Sequence, residues 1–205
     1  FSKADIAFFS AGASVSSKFA LKAEKHNCYV IDNTSYFRMQ KDIPLIVPEV
    51  NEYALDKCKR KIISNPNCST IQMLMALKPI HQINKIKQII VSTYQSVSGA
   101  GQKAMDELTK QSNDILNKKE IVLKNFPKQI GFNVIPQIDV FTDSGFTKEE
   151  IKMVNETKKI LDNNIDINAT CVRVPTYIGH AESLYIECEK NMDINHVKDS
   201  LGNFP

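Results

Sequence analysis

The first 32 residues follow a strand–helix–strand pattern, which constrains the fold more than any other feature of the chain. The apolar run 4–9 predicts a short buried strand, and the small residues 10–14 predict a turn. Apolar residues then recur every four positions, which predicts a helix over 15–26, and residues 28–32 predict a second strand. Such a βαβ unit implies a parallel sheet with a right-handed crossover. The turn after the first strand is either a plain tight turn or a place where a phosphate-bearing ligand binds.

The rest of the chain mixes strands and long helices without a second βαβ repeat. Residues 33–64 are predicted to be mostly irregular, and Pro79 is predicted to end a helix that opens at Cys68. Further strands are predicted at 86–92, 130–138, 169–174 and 182–189, and a helix at 102–118. The pattern predicts an α/β first part and an α+β second part built largely on an antiparallel sheet.

Thr147 and Glu150 have the spacing of a capping box, in which two side chains satisfy each other's backbone N–H groups at a helix N-terminus. The helix that follows is predicted to face inward with Ile151, Val154 and Leu161. Glu149 and Lys152 lie three residues apart on this helix. By themselves they are interpreted as an exposed ion pair worth a few tenths of a kcal/mol, roughly.

Composition excludes several classes of function. The 26 basic and 23 acidic residues give a net charge of only +3, and the basic cluster 57–61 is interpreted as a solvated face, so nucleic acid is not an expected partner. No apolar run approaches the ~20 residues that span a bilayer. Five cysteines without a C-x-x-C pair predict no disulfide framework, no metal site and a reducing, cytoplasmic compartment. The chain begins at Phe1 and ends at Pro205, and we expect it to be an internal piece of a longer protein.

Cys68 is the residue most suggestive of chemistry. It follows a turn containing Pro66 and Asn67 and opens an apolar, helix-like run. A helix N-terminus stabilises a thiolate, because unpaired backbone N–H groups and the helix dipole favour negative charge there. The alternative is a buried, inert thiol, because free cysteine is among the most buried residue types. The segment alone leaves both interpretations open.

Other residues supply what a thiolate nucleophile needs. A base can come from His180 or another of the four histidines, and backbone N–H groups near Cys68 can hold an oxyanion. Arg38 and Arg173 are the two arginines outside the basic cluster, and Arg binds carboxylate or phosphate in a bidentate manner. Arg173 and His180 flank a Pro–Gly turn, so both can line one pocket. These residues favour a thiol enzyme that acts on an anionic carbonyl substrate.

Nearly the whole chain resembles the bacterial aspartate-β-semialdehyde dehydrogenase family. The nucleophile segment is Asn65-Pro66-Asn67-Cys68-Ser69-Thr70-Ile71-Gln72. The other similar segments are 9–12, 36–39, 44–51, 92–101, 132–139, 147–152, 173–175 and 179–180. The resemblance implies NADP-dependent reductive dephosphorylation of aspartyl phosphate to aspartate semialdehyde, a step toward lysine, threonine and methionine. It also implies a partial Rossmann-like parallel sheet followed by a mixed, largely antiparallel domain, and a cytoplasmic homodimer.

The resemblance implies roles for individual residues. Cys68 would form the acyl thioester, His180 would be the general acid/base and Gln95 would orient the substrate. Arg173 would bind the substrate carboxylate and Glu149 its amino group. Inorganic phosphate would be held by three residues: Arg38, Asn67 and Lys152. NADP would touch five residues: Ser10, Ala11, Gly12, Ser98 and Gly99.

The chain departs from the family pattern in places. It has no Gly-rich dinucleotide loop and lacks the family's C-terminal segment, so we expect 1–66 to be the remainder of the NADP-binding domain and 67–205 the catalytic and dimerisation domain. Ala13 stands where the family often has a second Gly. Two alternatives stay open. One is an enzyme like N-acetyl-γ-glutamyl-phosphate reductase, whose motif usually has Gly where Asn67 stands. The other is a non-catalytic dimerisation module.

Overall fold

The computed structural model describes residues 1–205 and contains six strands and six α-helices. In chain order these are β1 (Ile6–Phe9), α1 (Ala13–Lys25), β2 (Tyr29–Asp32), α2 (Pro48–Asn51), β3 (Ile62–Ser64), α3 (Cys68–Ile83), β4 (Ile86–Gln95), α4 (Gln102–Leu116), α5 (Lys148–Ile160), β5 (Asp166–Arg173), β6 (His180–Cys188) and α6 (Ile194–Gly202). Two short 3₁₀ helices cover Glu52–Ala54 and Val97–Ala100. None of the helices is both long and apolar enough to span a bilayer.

Contacts between residues divide the chain into two compact units. Unit 1 comprises Phe1–Gln88, Lys152–Asp166 and Ile186–Pro205, and unit 2 comprises Ile89–Ile151 and Ile167–Tyr185. The predicted boundary after residue 66 stays a proposal about the domains of the protein.

The sheet of unit 1 has the order β1-β2-β3, and both strand pairs are parallel. The predicted βαβ unit is therefore confirmed. The small side chains Ala20 and Ala23 of α1 are fully buried in one core cluster with Val30 of β2 and Ile62 of β3. Because alanine lets a helix approach closely, α1 packs directly on the sheet.

The carboxyl ends of parallel strands meet at one edge of a sheet. The turn 10–12 follows β1, the loop 33–38 follows β2, and the segment 65–68 follows β3. This topology brings three of the predicted site segments to the same edge of unit 1.

Residues 33–64 are mostly irregular, as predicted, with three short exceptions: α2, the 3₁₀ helix Glu52–Ala54, and β3, which pairs with β2. α2 starts at Pro48, because a proline at the first helical position loses no hydrogen bond. One prediction for the first half is wrong. Pro79 does not end a helix but lies inside α3, which continues to Ile83. The missing Pro79 N–H removes one helical bond, yet Leu77 and Ile80 are buried on either side, and their packing keeps the last turn helical.

The second sheet has the order β5-β4-β6. The Val174 amide donates to the Gln95 carbonyl at 2.9 Å, and Gln88 contacts Asp166, so β4 and β5 run parallel. The Glu189 amide donates to the Lys85 carbonyl, which joins the end of β6 to the start of β4 in the antiparallel sense. The sheet is thus mixed, with one parallel and one antiparallel pair.

The strand predicted at 130–138 is absent. Only Ile135 forms an isolated antiparallel bridge, with Arg173. The amides of Ile130 and Gly131 donate instead to Gln111 Oε1 at 2.8 and 3.0 Å, and Phe132 has a φ of 55°. A side chain of α4 therefore takes the backbone donors that a sheet ladder would use.

The predicted capping box is confirmed at the start of α5. The Thr147 amide donates to Glu150 Oε2 at 2.7 Å, and the Glu150 amide donates to Thr147 Oγ1 at 3.3 Å. The buried face of the helix differs from the prediction by about one position. Its buried members are Glu149, Glu150, Met153, Glu156, Thr157 and Ile160, whereas Ile151 and Val154 of the helix and Leu161 just after it are half-buried.

Candidate active site

Cys68 is the first residue of α3, and its thiol is exposed. Asn67 caps the helix, because its Oδ1 accepts from the Ser69 amide at 2.9 Å. Exposure rules out the buried-thiol interpretation. Cys171 shows the contrast: it is fully buried on β5, and burial, helped by the charges of nearby glutamates, raises the pKa of its thiol to about 12. A thiol of that kind stays protonated at neutral pH.

Arg38 lies in the loop after β2 and is 8% exposed. Its Nη1 donates to Glu156 Oε1 at 2.9 Å, and its Nη2 donates to the Asn33 carbonyl at 3.0 Å. Arg38 Nε is buried and has no hydrogen-bond partner, so the guanidinium retains donor capacity beyond these bonds. Asp32, fully buried, shapes the start of the loop by accepting from the amide and hydroxyl of Thr34.

Glu156 links Arg38 to the segment before Cys68. Its second oxygen, Oε2, accepts from the Asn67 backbone amide at 2.7 Å. Lys152 lies one turn earlier on α5 and is half-buried. Two of the three predicted phosphate ligands, Arg38 and Asn67, therefore donate hydrogen bonds to the same buried carboxylate, that of Glu156.

Ser10, Ala11 and Gly12 form the exposed turn between β1 and α1. Gly12 has a φ of 98°, which favours glycine, and a Cβ there would meet nothing within 4 Å. The first turn of α1 carries no acidic residue and no side-chain cap. This turn therefore has room for a phosphate group. The first backbone N–H groups of α1, which no side chain caps, can donate to such a group.

Gln95 and Glu149 meet in unit 2. Gln95 Nε2 donates to Glu149 Oε1 and to Thr93 Oγ1, each at 3.3 Å, and Glu149 is 5% exposed. Burial of Glu149 overturns its interpretation as half of an exposed surface pair. The neighbouring Glu150 has a different task, since its carboxylate serves the helix cap and accepts from the Cys171 amide at 3.1 Å.

Arg173 and His180 are joined through the backbone of Ser96. Arg173 Nη1 donates to the Ser96 carbonyl at 2.6 Å, and the Ser96 amide donates to His180 Nδ1 at 3.0 Å. The side chain of Ser96 adds a bond to Ser98 Oγ at 2.9 Å. The predicted proximity of Arg173 and His180 around the Pro–Gly turn is present.

Gly99 allows this packing. A Cβ at position 99 would lie 3.2 Å from Arg173 Nη1 and 3.6 Å from His180 Cε1, so a side chain would press on both groups. Burial is the main cause that lowers the pKa of His180; a hydrogen bond with the Gly179 backbone opposes it, the positive charge of Arg173 lowers the pKa further, and Glu149 raises it slightly. Since the Ser96 amide donates to Nδ1, the proton of the neutral ring lies on Nε2.

Sequence reasoning missed Glu156 and Ser96. Glu156 had one available signal, because it lies four residues after Lys152 and so falls on the same helix face. Ser96 acts through its backbone, which no residue pattern reveals. Nowhere in residues 1–205 do three or more His, Cys, Asp or Glu side chains gather so that they could hold a metal ion.

Comparison with known proteins places this chain in a family. The family model for the semialdehyde dehydrogenase dimerisation domain matches residues 77–205, and that for the semialdehyde dehydrogenase NAD binding domain matches residues 1–58. The chain is 52% identical to an aspartate-semialdehyde dehydrogenase of Shewanella sp. (strain DB6705), over 100% of this chain and 61% of that protein. It is also 52% identical to the Aquifex aeolicus aspartate-semialdehyde dehydrogenase, over 98% of this chain and 60% of that protein.

Comparison with solved structures gives the same family. The crystal structure of aspartate semialdehyde dehydrogenase II from Vibrio cholerae has a TM-score of 0.97 and 52% identity, over 99% of this chain and 61% of that one. The chain thus spans about three fifths of the length of the relatives that it matches. The predicted resemblance is confirmed, and the chain belongs to the semialdehyde dehydrogenase family.

Proposed function

We propose that the protein containing this chain interconverts aspartyl phosphate and aspartate semialdehyde with NADP, through a thioester on Cys68. The observation that carries the proposal is the exposed Cys68 thiol at the capped N-terminus of α3. The Vibrio cholerae relative has also been solved in complex with ASA. The names of the relatives favour this activity over the N-acetyl-γ-glutamyl-phosphate reductase alternative.

The chemistry begins with the thiolate of Cys68, which the helix N-terminus stabilises. The sulfur attacks the acyl carbon of aspartyl phosphate, a carbon–sulfur bond forms, and the carbon–oxygen bond to phosphate breaks. Phosphate leaves with the electron pair and a thioester remains on Cys68. After reduction, the carbon–sulfur bond breaks, the aldehyde leaves and the thiolate is restored.

Two anion sites serve this substrate. Arg173, fixed by the Ser96 carbonyl, binds the substrate carboxylate, and Glu149 with Gln95 binds its amino group. Arg38, Asn67 and Lys152 bind the phosphate that leaves. His180 is the general acid/base in this proposal: its ring exchanges protons at Nε2, and an Nε2–H group is a donor that can stabilise the negative charge developing on the substrate oxygen.

NADP binds, in this proposal, at the turn 10–12 and at Ser98 and Gly99. The family model for an NAD binding domain covers the turn, and Gly12 leaves open space beside the N-terminus of α1. Bound NADPH supplies the hydride that reduces the thioester. The residues of the chain hold the phosphate groups and keep the thioester accessible.

We also propose a cytoplasmic homodimer. Support comes from the dimerisation-domain match, from the five cysteines, which are all free thiols, and from exposed apolar side chains of unit 2 such as Ile178 (81% exposed) and Tyr185 (58%). Sedimentation of the complete protein as a monomer at micromolar concentration would contradict it.

The decisive assay measures NADPH formation by the complete natural protein with aspartate semialdehyde. We expect formation to require inorganic phosphate and to vanish in Cys68→Ser. Equal rates without phosphate, or with N-acetylglutamate semialdehyde as substrate, would contradict the proposal. Titrating NADP into the isolated 205-residue chain separately tests whether that chain alone is a non-catalytic module, which would not bind it.

A further inference from the structure

Glu156 is a buried carboxylate that accepts hydrogen bonds from two separate segments of the chain. It is 1% exposed, and its two oxygens accept from different donors, Arg38 Nη1 at 2.9 Å and the Asn67 amide at 2.7 Å. These donors come from the loop after β2 and the segment after β3. One side chain of α5 therefore sets the distance between two groups that are far apart in sequence.

The next turn of α5 supports the same loop. Lys159 Nζ donates to the carbonyls of Arg38 and Gln40 at 2.7 Å each, and of Ile43 at 2.9 Å. Arg38 is thus held to α5 at its backbone by Lys159 and at its guanidinium by Glu156. Contacts at both the backbone and the side chain fix the orientation of the guanidinium.

We propose that Glu156 is a positioning residue for phosphate, which holds Arg38 and the Asn67 amide in one fixed arrangement. The inference rests on the proposed function and deepens it, because it names the residue that builds the phosphate site. Glu156 does not touch phosphate itself. Its negative charge would repel phosphate, so its presence beside an anion site is explained by the orientation that it imposes.

Glutamine cannot replace this carboxylate. Glu156 offers two acceptor oxygens to two donors, whereas glutamine offers one oxygen and one NH₂ group, which would face a donor. Glu156→Asp keeps the charge but shortens the reach by one methylene, so it too loses one of the two contacts. Both variants therefore disturb the arrangement, although only one of them removes the charge.

The test is the steady-state kinetics of the complete protein with inorganic phosphate as the varied substrate. Losing a hydrogen bond to a charged group corresponds to about a tenfold to hundredfold change in an equilibrium constant. We expect KM for phosphate to rise by about tenfold or more in Glu156→Gln and in Glu156→Asp, with KM for aspartate semialdehyde changed by less than about threefold. Circular dichroism confirms folding, and if the Gln variant fails to fold, the Asp variant decides.

A double-mutant cycle separates positioning from a general structural role. If Glu156 acts partly through Arg38, the effects of Glu156→Gln and Arg38→Ala on KM for phosphate are less than additive, and the double variant exceeds Arg38→Ala only by the contribution of the Asn67 amide. Glu107→Gln is the matched control, since Glu107 is also buried, accepts four hydrogen bonds and anchors residues 124 and 125. The control should leave KM for phosphate unchanged.

Three results would overturn the inference: an unchanged KM for phosphate in a folded Glu156 variant, a lowered KM, as loss of negative charge alone would produce, or additive effects in the cycle. Failure of the proposed function looks different. In that case the unmodified protein would itself form no NADPH in response to phosphate.

Discussion

The backbone amide of Ser96 lies 3.0 Å from Nδ1 of His180 and donates to it. An amide always donates, so Nδ1 must accept and the neutral ring must carry its proton on Nε2. The ring of His180 is therefore prepared as a donor at Nε2 before any substrate binds.

This bond and the burial of the ring favour neutral His180. Burial is the largest cause that lowers its pKa from the ordinary 6.5, and Arg173 adds to it. A lowered pKa means that stability is lost as the pH falls through the folded-state value, which lies below 6.5. We expect ¹⁵N NMR to show a protonated Nε2 and a pKa below 6.5, with the signal assigned by its loss in His180→Asn. A protonated Nδ1 at neutral pH would contradict the assignment.

Cys68→Ser should lower activity by at least about a thousandfold, because a serine hydroxyl is not ionised at neutral pH and is a far weaker nucleophile than a thiolate. Alkylation of Cys68 by iodoacetamide should proceed below pH ~8.5, the value for a free thiol. Cys58→Ser, at a half-buried position with its thiol on the Arg60 carbonyl, is the control and should retain activity. Labelling of Cys68 only above that pH would argue against a stabilised thiolate.

Arg173→Lys should raise KM for aspartate semialdehyde by about tenfold to hundredfold, because a lysine ammonium cannot form the bidentate hydrogen bonds that a guanidinium forms with a carboxylate. KM for phosphate should change by less than about twofold, since Arg173 serves the carboxylate. Arg60→Lys is a matched substitution at an arginine that pairs with Glu24 and Asp42. Steady-state kinetics with each substrate varied separates the two effects, and a selective rise in KM for phosphate would reverse the assignment.

Ionisation of Glu182 on β6 should lower the free energy of unfolding of the protein as the pH rises. Its Oε1 is buried without a hydrogen-bond partner, and burial raises its pKa from 4.5 to about 7. The protonated form is therefore favoured on folding, and this stability is lost as the pH rises through about 7. Glu182→Gln should remove that loss, and urea unfolding at pH 5 and pH 8 measures it. An identical pH dependence in both proteins would show that Glu182 is ionised at no cost.

Thr147→Ala should lower the free energy of unfolding by about 1 kcal/mol, because the Glu150 amide loses its capping oxygen. Thr147→Ser keeps a hydroxyl at the same place and should cost much less. The two variants differ only in the presence of that oxygen and a methyl group, so urea denaturation isolates the cap. Equal losses would attribute the effect to the buried methyl group.

Local features were predictable from residue patterns. The βαβ unit and the capping box depend on neighbours within a few positions, and the helix opening at Cys68 depends on Asn67, the adjacent residue. The strand at 130–138 was not predictable, because Gln111 of another element takes its backbone donors. Pro79 likewise stays helical through burial of its neighbours rather than through its own preference.

By itself, the sequence determined most of the local elements, the family and which residues could carry the chemistry. Tertiary structure alone decided which of them are exposed and which share a partner. Cys68 and Cys171 differ only in their surroundings, and Glu149 proved buried although its spacing from Lys152 suggested an exposed ion pair. Glu156 contacts Arg38 across 118 residues and Asn67 across 89. Such contacts follow from how the whole chain packs, because burial removes water as the competing partner of each polar group.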